Sequence, residues 1–259
     1  MGTSYSFGDT TVAQERLDLL AAVFDPPSRA FLRDMVTLPP TLAYDLGCGP
    51  GNTTRMVRDA TGARRVIGLD SSAAFIQSAS ERSGADKFGK DEFRVWDAAD
   101  PLPVAEPDLV YARMLLAHLA GPASLAAAWA GQLAPGGLLL LDEVERINTG
   151  NEVFTDYLTV VAARVRAAGA EMYAGPLLGA IPLGEESRVI SSQVVAHPVP
   201  AGRAARLFRL NLSVWGDDPW VTARFGPDTT ARLDRGLSRV RHGEITWRIR
   251  QVAIRRDGP

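Results

Sequence analysis

Asp45-Leu46-Gly47-Cys48-Gly49-Pro50-Gly51-Asn52-Thr53 decides how the rest of the chain is read. The apolar run Leu42 to Leu46 leads into it, and a segment of helical periodicity, Thr53 to Ala60, leads out. Three glycines at alternate positions let the backbone turn sharply and approach a ligand where a Cβ would clash. No Lys-Ser or Lys-Thr pair follows, which disfavours a phosphate-binding loop and nucleoside triphosphate hydrolysis. A dinucleotide site would carry its third glycine one position later. The acid two positions before the first glycine would repel a pyrophosphate, yet it suits a ligand bearing an ammonium or sulfonium group.

Working outward, short apolar runs alternate with helical segments, the pattern of a mostly parallel sheet covered by helices. Strands are predicted at Leu42 to Leu46, Arg65 to Asp70, Phe93 to Asp97, Asp108 to Arg113 and Gly137 to Val144. Crossover helices are predicted at Thr53 to Ala60, Ser72 to Arg82 and Ala123 to Leu133. The rhythm then changes. Asn151 to Ala168 reads as a helix and Gly169 to Gly184 as a loop, so an insertion is expected at 150–185. A strand at Arg188 to Val199, helices at Ala204 to Val214 and Asp228 to Arg239, and a last strand at Ile245 to Arg255 with a bulge or phase change near Gln251 complete the chain. Ahead of the first strand, Leu17, Leu20, Ala21 and Phe24 mark one helix, and Phe31, Leu32 and Met35 a second after Pro26-Pro27. Residues 1–40 are therefore expected to cap the main domain, 41–259, with Tyr5 and Phe7 folding over a ligand as a lid.

The acids at strand ends narrow the ligand. Asp70 ends the second strand, where a carboxylate can accept hydrogen bonds from ribose hydroxyls, and Asp97-Ala98 ends the third, where an acceptor can read an adenine amine. Carboxyl ends of parallel strands form the ligand crevice, so three acids at three successive ends exceed what folding alone requires. In combination, Asp45 to Gly51, Asp70, Asp97 and the turn Ala134-Pro135-Gly136-Gly137 resemble the class I, Rossmann-like S-adenosylmethionine-dependent methyltransferases over roughly Thr41 to Val144. The resemblance implies an α/β fold with a seven-stranded sheet whose last strand runs antiparallel. It also implies S-adenosylmethionine as cofactor, held by Asp45, Gly47, Gly49, Gly51, Asp70, Ser71, Asp97, Ala98 and Arg113.

Within that family the chain is similar to the small-molecule branch. Tyr111-Ala112-Arg113-Met114 stands where nucleobase amine methylation would show an Asn/Asp-Pro-Pro-aromatic run. The one cysteine, Cys48, sits in the cofactor loop rather than where a cytosine-attacking nucleophile belongs, and no acidic magnesium cluster can be assembled. The insertion is expected to roof the acceptor with Phe154, Tyr157, Met172 and Tyr173, and Trp215 and Trp220 to add a wall. This apolar group suggests an aromatic or hydrophobic acceptor of the secondary-metabolite kind. Tyr5, Phe7, Tyr157 and Tyr173 are the expected acceptor contacts. Alignment supplies much of the catalysis of an in-line displacement. A base is needed only if the acceptor must lose a proton, with His118 the first candidate and Glu143 the second. His197 and His242 read as structural. The alternatives are an RNA or protein methyltransferase, or a binding protein on the same fold that does not methylate.

Composition sets the outer bounds. At 46% hydrophobic and 22% charged, 259 residues can form one substantial core and are not a disordered or fibrous chain. A net charge of −2 gives no field that would gather nucleic acid or anionic lipid. Arginines outnumber acids from Arg203 to Arg256, but Lys87 and Lys90 are the only lysines, so arginine use is chain-wide and this stretch reads as a solvated face. A lone cysteine permits no intrachain disulfide. Met1 to Ala13 has no basic start followed by an apolar run, and no stretch reaches membrane-span length. A cytoplasmic protein with a small-molecule partner, and neither nucleic acid nor membrane, is expected.

Overall fold

The computed structural model describes residues 11–84, 91–104 and 106–258. Strands β1 (Leu42–Leu46), β2 (Arg65–Asp70), β3 (Glu92–Val95), β4 (Leu109–Arg113), β5 (Leu138–Asn148), β6 (Ser187–Pro200) and β7 (Glu244–Arg256) form one sheet in the order β3-β2-β1-β4-β5-β7-β6. Neighbours from β3 to β5 pair in parallel, while β7 lies antiparallel between β5 and β6. Strand order reverses between β1 and β4, which places a crevice at their carboxyl ends. The seven-stranded architecture, the antiparallel last strand and the helical segment after strand five agree with expectation.

Helices α2 (Asn52–Thr61), α3 (Ala73–Gly84) and α4 (Pro122–Ala130) make the crossovers, and the apolar sides of α2 and α4 bury the sheet on its two faces. Accordingly β4 and the first half of β5, Leu138 to Leu141, are buried at every position, the continuous apolar reading of an enclosed parallel strand. Beyond β5 come α5 (Glu152–Ala167), capped by the Asn151 side chain accepting from Val153 N, then α6 (Ala201–Trp215), α7 (Pro219–Phe225) and α8 (Thr229–Leu237). These pack with β7 into a second core that includes Phe154, Phe208, Trp215 and Trp247.

Two expectations are corrected, and a third, the bulge or phase change near Gln251, is met as a phase change. The N-terminal segment is one helix, α1 (Thr11–Met35), which runs through Pro26 and Pro27. An interior proline removes a helical hydrogen bond, at a cost near 3 kcal/mol, and tertiary contacts offset it here. The Val23 carbonyl that Pro27 cannot reach accepts from His197 Nε2 at 2.8 Å, and Gln251 Nε2 donates to the Pro27 carbonyl. Phe24 meets Trp247 edge-on at 5.5 Å. His197 is structural, as expected. The third strand ends at Val95, so Asp97 lies in the following turn. No bulge falls at Gln251. The register shifts lie on its neighbours, at Val144/Arg146 of β5 and Val189/Ser191 of β6, and the phase change in β7 reflects burial of both its faces from Gln251 to Ile254.

The tie between His197 and α1 is testable. His197→Ala leaves the Val23 carbonyl without its donor and is expected to lower stability by about 1–3 kcal/mol. In a Pro27→Ala background the restored N–H takes over that carbonyl, so His197→Ala should cost clearly less. Urea denaturation of the four proteins checks this, and equal costs in both backgrounds would count against the tie.

Candidate functional site

The crevice is built from the loop between β1 and α2. Gly47, Gly49 and Gly51 all adopt positive φ, at 67°, 52° and 88°, the left-handed region that residues with a Cβ enter at a cost. The Leu69 carbonyl of β2 accepts from both Gly47 N and Cys48 N. Asp70, the last residue of β2, accepts from Gly49 N through one oxygen and from Ser72 N through the other, each at 2.9 Å. Its carboxylate therefore joins the loop to the start of α3.

The glycines divide by what surrounds them. Gly47 and Gly49 line the crevice, and a Cβ on Gly49 would meet only the flexible end of Leu17, at 3.5 Å. Gly51 does not line it. A Cβ there would meet the Phe93 ring at 3.0 Å and Ala79 at 3.2 Å, so this glycine lets α2 pack on β3 and α3. Asp45 is also corrected. It is 1% exposed and absent from the crevice wall, with Oδ2 accepting from the hydroxyls of Thr53 and Thr54 at 2.6 and 2.7 Å. Burial pushes its pKa up to about 7, against the pull of the two hydroxyls. Asp45 fastens β1 to the first turn of α2 rather than facing a ligand.

Ser71, Asp97 and Ala98 line the outer crevice with Asp70. Asp97 is exposed and accepts from Ala99 N through Oδ1, which leaves Oδ2 toward solvent or ligand. Trp96 and Phe75 supply apolar surface beside them.

Arg113 ends β4 on the crevice wall, yet its guanidinium turns inward. Nη1 donates to Asp25 Oδ1 at 2.9 Å and to Ser28 Oγ at 3.3 Å, and Ser28 donates to Asp142 Oδ2 at 2.6 Å. Tyr111 donates to the same Asp142 oxygen. This buried network binds α1 to β4 and β5, so the expected cofactor contact of Arg113 becomes a positioning role.

Met114 follows at φ 52°, uncommon for a residue with a side chain. That turn directs Leu115 N and Leu116 N onto Glu143 Oε1, both at 2.8 Å. Glu143 is fully buried on the crevice wall, and its Oε2 has no partner among the described residues. Burial pushes its pKa up to about 8, so at neutral pH it is mostly a neutral acid, a hydrogen-bond donor rather than the expected base. His118 lies in the short turn Leu116–His118 on the same wall. Burial first, and the charge of Arg16 second, lower its pKa to about 4, so the ring is neutral at physiological pH.

From here the cavity continues inward, between α1, α5, α6 and β7. Its wall includes Leu20, Phe24, Val161, Phe208 and Trp247, with Tyr157, Asn211 and Arg16 as polar members. Tyr157 and Met172 stand where expected. Tyr173 does not reach the wall, Phe154 and Trp215 pack behind it, and Trp220 is 37% exposed on the surface. Tyr5 and Phe7 lie outside the described residues. The sequence reading missed Arg16, Phe208, Asn211 and Trp247. For two of them a signal existed: Arg16 sits inside the stripe Leu17, Leu20, Ala21, Phe24, and Asn211 inside the stripe Ala204, Leu207, Phe208, Leu212, Trp215, polar residues at helical core positions. Among the described residues, no cluster suited to a metal ion occurs, and no helix is long and apolar enough to cross a membrane.

Residues 44–141 match a family model described as a methyltransferase domain. Proteins named trans-aconitate 2-methyltransferase are similar: one from Paracidovorax citrulli is 42% identical over 97 residues, 38% of this chain and 36% of its own length. One from Methylobacterium radiotolerans is 43% identical over 100 residues, 39% of this chain and 36% of its own length. The matched regions thus span little more than a third of these relatives. Among solved structures, coclaurine N-methyltransferase aligns at TM-score 0.56 and 16% identity, covering 90% of this chain and 72% of that one. The [4+2]-cyclase SpnF aligns at 0.53 and 17%, covering 91% and 82%. An N-methyltransferase and a cyclase share this fold, so the fold alone does not fix a reaction.

Glu143 carries a pH prediction. Its folded pKa, about 8, lies above the ordinary value of about 4.3, so the native state holds a proton that the unfolded state has lost between those limits. Its contribution to stability is complete below about pH 4 and declines as pH rises toward 8. Glu143→Gln mimics the neutral acid and should flatten that slope, melting at least about 3 °C above wild type at pH 8 and close to it at pH 5. Melting curves across pH check this. Parallel slopes for the two proteins would show that Glu143 is ionised in the native state.

Proposed function

We propose that the chain is a class I, Rossmann-like S-adenosylmethionine-dependent methyltransferase, on the strength of its methyltransferase-domain match over residues 44–141, and that it transfers a methyl group from S-adenosylmethionine to a small organic acceptor with an apolar, aromatic-sized body. One observation carries the reading. A single continuous cavity runs from Ser71, Asp70 and Asp97, past Gly47 and His118, to Tyr157, Phe208 and Trp247, so a donor slot and an acceptor chamber share one space. S-adenosylmethionine, when bound, supplies a methyl group already activated on a sulfonium sulfur.

The residues divide the work. Gly47 and Gly49 let the backbone approach the cofactor, Asp70 accepts from its ribose hydroxyls, and Asp97 with Ala98 and Ser71 borders its base. The walls from α1, α5 and β7 hold the acceptor in line and keep water out. His118, neutral because it is buried, takes the proton of an acceptor hydroxyl. Residues 11–35 and the 150–185 insertion together cover the acceptor. An aromatic acceptor of the secondary-metabolite kind fits the Phe208 and Trp247 surfaces, and a cytoplasmic setting fits a soluble partner of that kind.

A second reading, an organic-acid acceptor, is favoured by Arg16, buried at 4% exposure on the acceptor wall, and by the names of the relatives. The family match, however, ends before α5, so it does not include the residues of α5 and α6 that line the chamber.

Charge-assisted hydrogen bonds contribute about 1.5–3 kcal/mol, so Asp70→Ala should weaken binding of S-adenosylhomocysteine about tenfold to a hundredfold in calorimetry. Unchanged affinity would reduce Asp70 to a loop fastener. His118→Gln should slow single-turnover methyl transfer to a phenolic acceptor about a hundredfold or more, with affinity for S-adenosylhomocysteine preserved. Wild-type rates at every pH would remove His118 as the base.

A further inference from the structure

Two polar side chains meet in the inner half of the cavity, whose wall is mostly apolar and also carries Arg16. Tyr157 of α5 is 1% exposed and Asn211 of α6 is 8% exposed, and both line the wall. Asn211 Nδ2 donates to Tyr157 Oη at 2.8 Å. With one of its two amide N–H groups so used, Asn211 also holds Oδ1, which is shielded from solvent and has no donor among the described residues. Tyr157 Oη receives from Asn211, so its own proton remains to be given, and no described residue accepts it. Burial raises the phenol's pKa further above its ordinary value, so the hydroxyl stays a donor at physiological pH. The geometry is held firmly, because the Tyr157 ring stacks on Phe208 at 4.2 Å and 15°, with Trp215 6.0 Å behind it.

Such a pair shows a ligand one donor and one acceptor, side by side, in a desolvated place. We propose that Tyr157 and Asn211 form the recognition point for a neutral hydroxyl or carboxamide on the methyl acceptor, a group that accepts from Tyr157 Oη–H and donates to Asn211 Oδ1. The inference rests on the reading above that this chamber holds the acceptor, and it narrows that reading. A purely apolar ligand leaves both protein groups unsatisfied in a buried place. A carboxylate has only acceptor oxygens, so it can take the Tyr157 proton but leaves the Asn211 oxygen without a donor. On this point the chain departs from relatives named for a carboxylic acid, although Arg16 lies on the same wall.

The test uses the full chain and ligand-observed NMR titrations with phenol, benzamide, benzoate, trans-aconitate and toluene. Phenol and benzamide should bind at least about tenfold more tightly than the other three, the loss of one buried hydrogen bond. Asn211→Leu, close in size, and Tyr157→Phe, which keeps the stacked ring, should each erase that preference. Either variant suffices if the other fails to fold. Benzoate or trans-aconitate binding as tightly as phenol overturns the proposal, as does binding of none of the five, or a preference that survives both substitutions. Calorimetry with S-adenosylhomocysteine on the same proteins separates the two claims. Loss of cofactor binding in wild type would defeat the methyltransferase reading, whereas normal cofactor binding without head-group preference would defeat this one alone.

Discussion

The site depends on one carboxylate at the end of β2. Asp70 accepts a backbone N–H from the glycine loop and another from the start of α3, while the Leu69 carbonyl beside it takes two more from the loop. A loop with three left-handed glycines has many conformations open to it when unfolded, and the three bonds from Gly47, Cys48 and Gly49 select one. The selected shape places Gly47 and Gly49 on the crevice and turns Gly51 into the interior. Asp45 holds the same loop from the other side through Thr53 and Thr54, so two acids fasten the loop and only one of them faces the crevice.

The acceptor half depends on a second buried polar system. Arg113, Asp25, Ser28, Asp142 and Tyr111 connect the carboxyl ends of β4 and β5 to α1, a helix that two prolines would otherwise break. Removing one member of such a network leaves the others buried and unsatisfied, which costs more than the bond itself. Because α1 also carries Arg16, Leu20 and Phe24 to the chamber, the network sets the shape of the acceptor wall, and of its members Arg113 lies on the cavity surface.

The fold was legible in the sequence where one local rule governs each element. Apolar runs gave five parallel strands to within a few residues, and the glycine loop with Asp70 located the crevice. Legibility failed where long-range contacts override local preference. Pro26-Pro27 reads as a helix boundary, and contacts from far away in the chain, among them His197 and Gln251, reverse that reading. Asp45 and the guanidinium head of Arg113 differ from expectation for the same reason: residue type and strand position put both at the crevice, but Thr53 and Thr54 hold Asp45 out of it, while Arg113 stays on the wall with Nη1 directed to Asp25 and Ser28. Tyr173 and Trp220 are aromatic, which does not say which way a side chain points, and neither lines the chamber. Asn211 and Arg16 carried a usable sign, a polar residue within an apolar helical stripe.

The placing of β7 between β5 and β6 governs the order in which the molecule can assemble. Leu138 to Leu141 lie at the centre of the finished sheet, buried on both faces, yet their partners on one side are Val252 to Arg255, more than a hundred residues later. As the chain leaves the ribosome, the first five strands can pair in sequence, but β5 then presents an open, leucine-rich edge for the time it takes to synthesise the whole acceptor half. Unpaired apolar edges are templates for wrong partners. The native sheet closes only after synthesis of β7, and the distance of that contact makes closure a slow step. The chamber, whose walls come from both sides of this late join, is among the last parts of the molecule to exist.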